Sequence, residues 1–420
     1  MMSPAFTDSG AGCLGTRPVK TLNEDQSTPL LEGAATRACS DNGAMFSRPI
    51  LLRARRAAPC LLALLPTCLP ASAWAQSDAL QIYARLNAGL EAMQRGAADG
   101  ARHSVTRLSN YRSVLGLRGN EALGAGTRVL YQIEGTLAPD TGAGAIAARD
   151  TRIGLEGPWG TLFAGNWTTP YNSATSSLDP FYPTTAGYMS IMGNGSASNA
   201  DNLTDTASFD RRQRNSLHYW TPVWRGVSLR LAHGFNEERP ANGARPALDS
   251  SALLYEHGAL YAAIAHERHR DYQGAGGTDR GTRLALAYRF GNTRLAVIGE
   301  RLQYQSPGAA LRRDAWYLSA SHQMGAHALR LGVARAFDGK GDAGTRFGFA
   351  AAGPDTGALH ATLGYDLALS KRTSLFAFHT RIHNDARASV DFAINGLGTD
   401  ADPVTGAHLR GTALGIRHAF

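Results

Sequence analysis

Apolar and polar residues take turns along most of this chain. Leu80, Ile82, Ala84, Leu86, Ala88 and Leu90 alternate with Gln81, Tyr83, Arg85, Asn87, Gly89 and Glu91. A period of two with one apolar and one polar face is that of a strand covered on one side by apolar material. The pattern returns at Leu115 and Leu117 against Val114, Gly116 and Arg118, and at Val129, Tyr131 and Ile133 against Arg128, Leu130, Gln132 and Glu134. It recurs at Leu229/Leu231, Leu253/Tyr255, Leu260/Ala262/Ile264, Leu284/Leu286/Tyr288 and Leu295/Val297. Further on it runs through Leu318/Ala320, Leu329/Leu331/Val333, Leu363/Tyr365/Leu367 and Leu375/Ala377. No helical period of useful length intervenes, so the predicted class is all-β.

Two kinds of connection separate these runs. Short ones lie at 120–126, 157–160, 221–226, 257–258, 291–292, 324–326 and 370–372. Long polar ones lie at 96–104, 138–147, 168–212, 236–247, 270–280, 306–313, 338–354 and 385–406. Seven short and eight long connections predict 16 antiparallel strands with both chain ends on the short-turn side. A transmembrane antiparallel β-barrel is built this way, with short periplasmic turns on one rim and long extracellular loops on the other. An even number of strands lets the sheet close without a free edge, which lipid demands.

The longest connection, 168–212, is rich in Asn, Asp, Ser, Thr and Gly. A structureless passage of that length inside a compact domain needs a job. The expectation is that this third long loop folds into the lumen and narrows it. The last strand places Thr412, Leu414, Ile416, His418 and Phe420 on one face and Ala413, Gly415 and Arg417 on the other. A terminal Phe420 on the apolar side fits a strand that closes the barrel with its ring in an interfacial girdle.

Upstream, Arg53, Arg55 and Arg56 precede the apolar run 57–69 and then Ala73-Trp74-Ala75. This is the order of a secretory signal peptide, assigned to 45–75 with cleavage after Ala75. Pro59, Pro66 and Pro70 argue against a buried helix there. Residues 1–44 have no periodicity and read as an upstream extension, untranslated or disordered, which leaves 76–420 for the barrel. Cys13, Cys39, Cys60 and Cys68 all precede the cleavage site, so the mature chain is expected to have no disulfide, thiolate metal site or cysteine nucleophile.

Charge and hydropathy alter little. There are 42 Lys+Arg against 34 Asp+Glu, a formal +8, and almost all of the positive charge is arginine. No compact basic cluster with interleaved aromatics follows the leader, which argues against a nucleic-acid partner. After Ala75 no apolar run approaches the roughly eighteen residues a membrane helix needs. His266-Glu267-Arg268-His269 has its histidines at i and i+3 on a strand rather than i and i+4 on a helix, so no metal is expected. Gly193-Asn194-Gly195-Ser196 lacks the strand–turn–helix of a nucleophile elbow. No cofactor or catalytic residue is assigned. Trp159, Trp167, Trp220 and Trp224 read as girdle or loop-packing residues.

Four segments carry a family likeness. They are Gly154-Leu155-Glu156-Gly157 with Trp159-Gly160-Thr161-Leu162; Asn215-Ser216-Leu217-His218-Tyr219 leading to Pro222; Gly364-Tyr365-Asp366 with Leu369-Ser370-Lys371-Arg372-Thr373; and Gly415-Ile416-Arg417-His418-Ala419-Phe420. In this order on a barrel pattern, the chain resembles the general porins of Gram-negative bacteria, in particular the trimeric porins of β-proteobacteria. The resemblance implies a homotrimer in outer-membrane lipid and passive diffusion of small hydrophilic solutes and ions. It also implies wall arginines facing acidic residues on the third loop, an arrangement that sets up a transverse field. Three wall positions usually carry arginine; only Arg214 is retained, and Val114 and Asn166 stand at the other two. Inward parity adds Arg112, Arg118, Arg128 and Arg152, with Glu134 and Glu156 as partners. Asp179 is the expected acidic counterpart on the loop, followed by Asp201, Asp205 and Asp210. A weak anion preference is expected. The alternatives are a substrate-specific outer-membrane channel or adhesin on the same barrel, and a barrel-type enzyme, for which nothing marks a nucleophile.

Overall fold

The computed structural model describes residues 77–96, 102–397 and 404–420. The upstream extension, the leader and its cleavage site lie outside the described residues. Among the described residues no helix is long and apolar enough to cross a membrane, which says nothing of a barrel.

The wall begins with β1 (Ser77–Gly96) and β2, which is Arg102–Asn110 continued as Ser113–Gly124. Next come β3 (Thr127–Ala138), β4 (Thr151–Gly157), β5 (Gly160–Thr168), β6 (Arg211–Trp220), β7 (Val227–Gly234) and β8 (Ala247–His257). The second half is β9 (Leu260–Arg270), β10 (Thr278–Phe290), β11 (Thr293–Ser306), β12 (Ala309–Met324) and β13 (His327–Ala336). It ends with β14 (Ala358–Ala368), β15 (Thr373–Asn384) and β16 (His408–Ala419). Each strand pairs antiparallel with its neighbours, and β1 pairs β16 from Arg85↔Ala419 to Gly96↔His408, so the 16-stranded sheet is closed. Phe420 finishes the seam by exchanging backbone hydrogen bonds of 3.0 and 3.1 Å with Ala84. Closure leaves the sheet no free edge, which the hydrocarbon zone requires.

Alternation is kept through the wall. Leu90 is 62% exposed while its neighbour Glu91 is fully buried. Leu253, Ile264, Leu284, Val297, Leu318, Leu331 and Leu363 likewise present their side chains to the outside. Trp159, Trp224, Tyr288, Phe290 and Phe420 are exposed close to the short-turn rim.

Two connections differ from expectation. Residues 306–313, expected as a long loop, are a two-residue turn, Pro307-Gly308, between β11 and β12. Polarity misled there: the alternation simply continues, with Leu311 and Arg313 buried and Arg312 partly exposed. Gly308, at φ +81°, supplies the left-handed geometry that so tight a turn needs. Strand β10 also starts at Thr278, two residues inside the loop predicted at 270–280.

The passage between β5 and β6 is the third loop. It holds the short helix Pro170–Ser173, single turns at Ser176–Leu178 and Tyr188–Ser190, and a strand, Ala197–Ala200, parallel to the top of β6. Tyr171, Leu178, Tyr188, Met189, Ile191 and Phe209 from this passage are buried. They pack on inward alanines, among them Ala263, Ala265, Ala285, Ala296, Ala315 and Ala334. Small inward side chains on β9–β13 leave the room that the loop fills.

Candidate pore constriction

Backbone space decides where the third loop can lie. A Cβ on Gly364 would come within 2.5 Å of the Phe181 ring, and one on Gly281 within 2.7 Å of Phe209. These glycines are notches for two loop aromatics. Charge then fixes the loop. Glu300 on β11 bridges to Arg283 at 2.7 Å and accepts from Tyr171 Oη (2.8 Å) and from the backbone N–H of Gly193 (2.8 Å). Arg313 lies 3.7 Å from the same carboxylate and donates to the carbonyl of Ile191. Arg283 also donates to Thr175 Oγ1 (2.8 Å), with its guanidinium 4.4 Å from the Tyr171 ring centre. Further along, Arg330 bridges to Asp366 at 2.6 Å, donates to the carbonyl of Pro180 and lies 5.0 Å from the Phe181 ring centre.

Asp179 belongs to this lock. It is 4% exposed and accepts from Tyr317 Oη (2.6 Å) and from the N–H groups of Tyr188 (2.8 Å) and Phe181 (3.0 Å). Burial pushes its carboxyl up, against the pull of those donors. Asp210 is 1% exposed, held by the Asn172 amide at 3.0 Å. Burial drives its carboxyl up to about 6, with Arg112 and Arg283 opposing. Asp201 and Asp205 belong to the 201–208 bends, where Asp201 Oδ1 caps the N–H groups of Leu203 and Thr204 at 2.8 Å.

The opposite wall is built differently. At Tyr111-Arg112 strand β2 breaks; Arg112 has φ +56°, and both halves still pair with β1. Such a bulge re-aims a side chain. Arg112 reaches the loop, donating to Tyr182 Oη at 3.3 Å and to Ser196 Oγ. Arg85, half-buried beside it, donates to the Arg112 carbonyl at 3.2 Å. Behind them Arg149 bridges to Glu134 at 2.9 Å, and Arg212 to Asp150 at 2.7 Å. Tyr83 Oη also donates to Glu134, at 3.0 Å. Arg417, inward on β16, is close enough to Arg85 to oppose its charge.

The remaining sequence-predicted residues fall in three places. Arg118 and Arg128 are exposed toward the short-turn rim, Arg118 hydrogen-bonded to Gln81 at 2.8 Å and Arg128 ion-paired with Glu156 at 2.5 Å. Arg152 lies under the loop, its guanidinium 4.3 Å from the Trp167 ring centre, 4.8 Å from Phe163 and 5.4 Å from Trp220. Trp167 and Trp220 are thus packed on the inner wall with Phe163. Arg214, the residue favoured by sequence, is exposed at a second bulge, where Asn215 has φ +50°. It lines a surface depression with Ile146, Ala164, Phe235 and Glu237 rather than the face turned to Tyr182. The extra residue of that bulge turns its side chain outward, while Gln213 and Ser216 on either side stay buried.

Val114 is buried and inward, and Asn166 donates to the Arg149 carbonyl at 3.2 Å. The positive charge in this area thus comes from Arg85, Arg149, Arg212 and Arg417, which the sequence reading did not single out. Arg85 and Arg417 had inward parity in the alternation, so that signal was present. Arg149 and Arg212 sit where strands enter loops, and parity says nothing there. His266 and His269 point to opposite faces, as odd spacing on a strand dictates: His266 is exposed and bonded to Thr282 Oγ1, and His269 is buried on Glu267 at 2.9 Å.

A family model described as Gram-negative porin matches residues 61–387. The chain belongs to the Gram-negative porin family. Among its relatives, outer membrane porin protein 32 of Delftia acidovorans is 25% identical over 371 residues, 86% of this chain and 99% of that protein. Major outer membrane protein P.IA of Neisseria meningitidis is 29% identical over 144 residues, 29% of this chain and 35% of its own. Among solved structures, the anion-selective porin from Comamonas acidovorans superposes with a TM-score of 0.67 at 22% identity, covering 81% of this chain and 99% of that one. OmpT of Vibrio cholerae gives 0.56 at 14% identity, covering 81% and 97%. This porin resides in the outer membrane and forms a channel for passive diffusion of small hydrophilic solutes and ions.

Proposed function

We propose that this porin favours anions weakly, and that the open side of its constriction is the basic wall of Arg85, Arg112 and Arg417 with Arg149 and Arg212 behind. The observation that carries the proposal is an imbalance. Glu134 and Asp150 are already ion-paired within this wall, while the loop carboxylates Asp179 and Asp210 are buried in the loop's own packing. Excess positive potential in a narrow, water-filled passage lowers the energy of an entering anion and raises that of a cation. Arg118, Arg128 and Arg152 add positive charge on the short-turn side, with Glu156 offsetting part of it. The name of the Comamonas acidovorans porin agrees with this sign.

The channel catalyses no reaction and works as a homotrimer. An apolar outer face across β1–β5 supports the trimer: Ile82, Leu86, Leu115, Ile133, Ile153 and Leu162 are exposed, and Ile146, in the loop between β3 and β4, is 90% exposed. Cleavage after Ala75 delivers the chain for export. In planar bilayers under a salt gradient, the purified porin is expected to show a reversal potential on the anion side; a cation-side value refutes the proposal.

A further inference from the structure

The inner wall beneath the third loop carries an aromatic cluster that the constriction does not use. Arg152 on β4, Phe163 and Trp167 on β5, Trp220 on β6 and Arg230 on β7 take inward positions, while Ile153, Leu162, Leu217 and Leu231 on the same strands are exposed outside. Trp167 lies opposite Gln213, Phe163 opposite His218 and Thr161 opposite Trp220. The cluster therefore descends from the foot of the third loop toward the short-turn rim. Arg230 ties it to the loop, donating to Ser173 Oγ at 3.4 Å.

The rings form a nest. Phe163 is its floor, 1% exposed, meeting Trp167 edge-on at 5.2 Å and Trp220 at 5.0 Å, with His218 stacked on it at 4.8 Å. Trp167 and Trp220 stand 6.1 Å apart and stay half-buried. Arg152 sits among the three rings, yet it has no ion pair or hydrogen bond among the described residues, and its Nε and Nη1 are buried without an acceptor. Arg230 lies 4.8 Å from the centre of the Trp220 ring. Two guanidinium groups thus meet at one indole, and neither has a carboxylate among the described residues. Arg283, Arg313 and Arg330, buried under the loop, each have one. A half-buried cation without a counter-charge is costly, and aromatic faces supply only part of what is missing.

We propose that this shelf is a subsite for aromatic carboxylates on their way through the channel. The carboxylate accepts from Arg152, with Arg230 next along the wall, and the solute's ring lies against Trp167 and Trp220. The carboxylate contributes a charge-assisted contact that any small anion shares. The ring contact sets the class, because an aromatic solute gains from stacking or edge-on packing what a saturated ring of the same charge does not.

The test uses the purified porin in planar bilayers bathed in KCl and titrated with benzoate, cyclohexanecarboxylate or acetate, reading the block of single-channel current. Half-block by benzoate is expected at a concentration roughly three- to tenfold below that for cyclohexanecarboxylate, the worth of an aromatic pair beyond its buried area. Acetate should block least. In a Trp167→Leu, Trp220→Leu double variant, which keeps apolar bulk, the two ring acids should block alike. A Trp224→Leu variant, at the exposed rim, should block as wild type does, and Arg152→Gln should weaken the block by both acids. Equal half-block by benzoate and cyclohexanecarboxylate in wild type, an undiminished preference in the double variant, or wild-type block in Arg152→Gln overturns the assignment. The subsite rests on the anion-favouring lumen proposed above, and a cation-side reversal potential in KCl fails that reading. Equal block by two ring acids of one charge fails the subsite alone.

Discussion

The two halves of the inner wall use arginine for opposite ends. On β10–β13, Arg283, Arg313 and Arg330 are buried, paired with Glu300 or Asp366, and hydrogen-bonded to the third loop. On β1, β2 and β16, Arg85, Arg112 and Arg417 are half-buried and face a passage. The receiving half mixes inward alanines with Ile298, Leu302, Tyr304 and Tyr317, and the loop packs closely on them. The open half carries tyrosine, glutamate and arginine, and the loop reaches it at Arg112 through Tyr182 and Ser196. A guanidinium that is buried and ion-paired acts as a fastener; one left partly solvated acts as a source of field. Surroundings, rather than residue type, separate the two roles.

The comparison breaks most violently at Glu300. Glu300→Gln would leave Arg283 buried and uncompensated, and loss of one partner of a buried pair costs on the order of 3–5 kcal/mol. The expected outcome is a lower unfolding temperature on heat-shift gels together with noisy, larger open-channel currents as the loop comes loose. Filling a notch is milder. Gly364→Ala forces Phe181 out of its place, with overpacking of about 1–3 kcal/mol, and faster proteolysis within the loop would register it.

A pH effect is subtler and confined to the loop. Asp210 rises to about 6 inside the docked loop, above the ordinary carboxylate value of about 4. A raised folded-state value means that the docked form binds the proton more tightly. Its stabilisation is full below about 4 and is lost as pH rises through about 6. Exchange of the Ala197 amide, which donates to the Asp210 carbonyl, and of the Phe209 amide should therefore slow on acidification beyond the intrinsic effect. Asp210→Asn should remove that extra dependence. The smallest expected effect is at Arg214: Arg214→Gln, outside the constriction, should leave the reversal potential where it was.

Much of this architecture was legible before any coordinates. Alternation named the outward set from Leu80 to Ile416 almost residue by residue, because hydrocarbon enforces a period of two. Segregated connection lengths yielded the number of strands, and the length of 168–212 announced an inserted loop. Legibility failed where the backbone departs from regular pairing. The bulge at Arg214-Asn215 exposes a side chain that the resemblance implied for the pore wall, and the one at Arg112 turns that side chain toward the loop. Sequence shows the charge of Asp179 and not its burial in the loop's own packing. The inward alanines Ala263, Ala265, Ala285 and Ala296 are a readable sign of the loop's seat, since small side chains on one face of successive strands leave room for a packed segment.

On the proposed reading, Arg85 and Arg112 set the field while the buried arginines do not. The direct test is the zero-current potential of the Arg85→Gln, Arg112→Gln double variant under a KCl gradient, with wild type recorded alongside. A clear shift from the anion side toward zero is expected, with the channel still open. A double variant with the wild-type potential would contradict it.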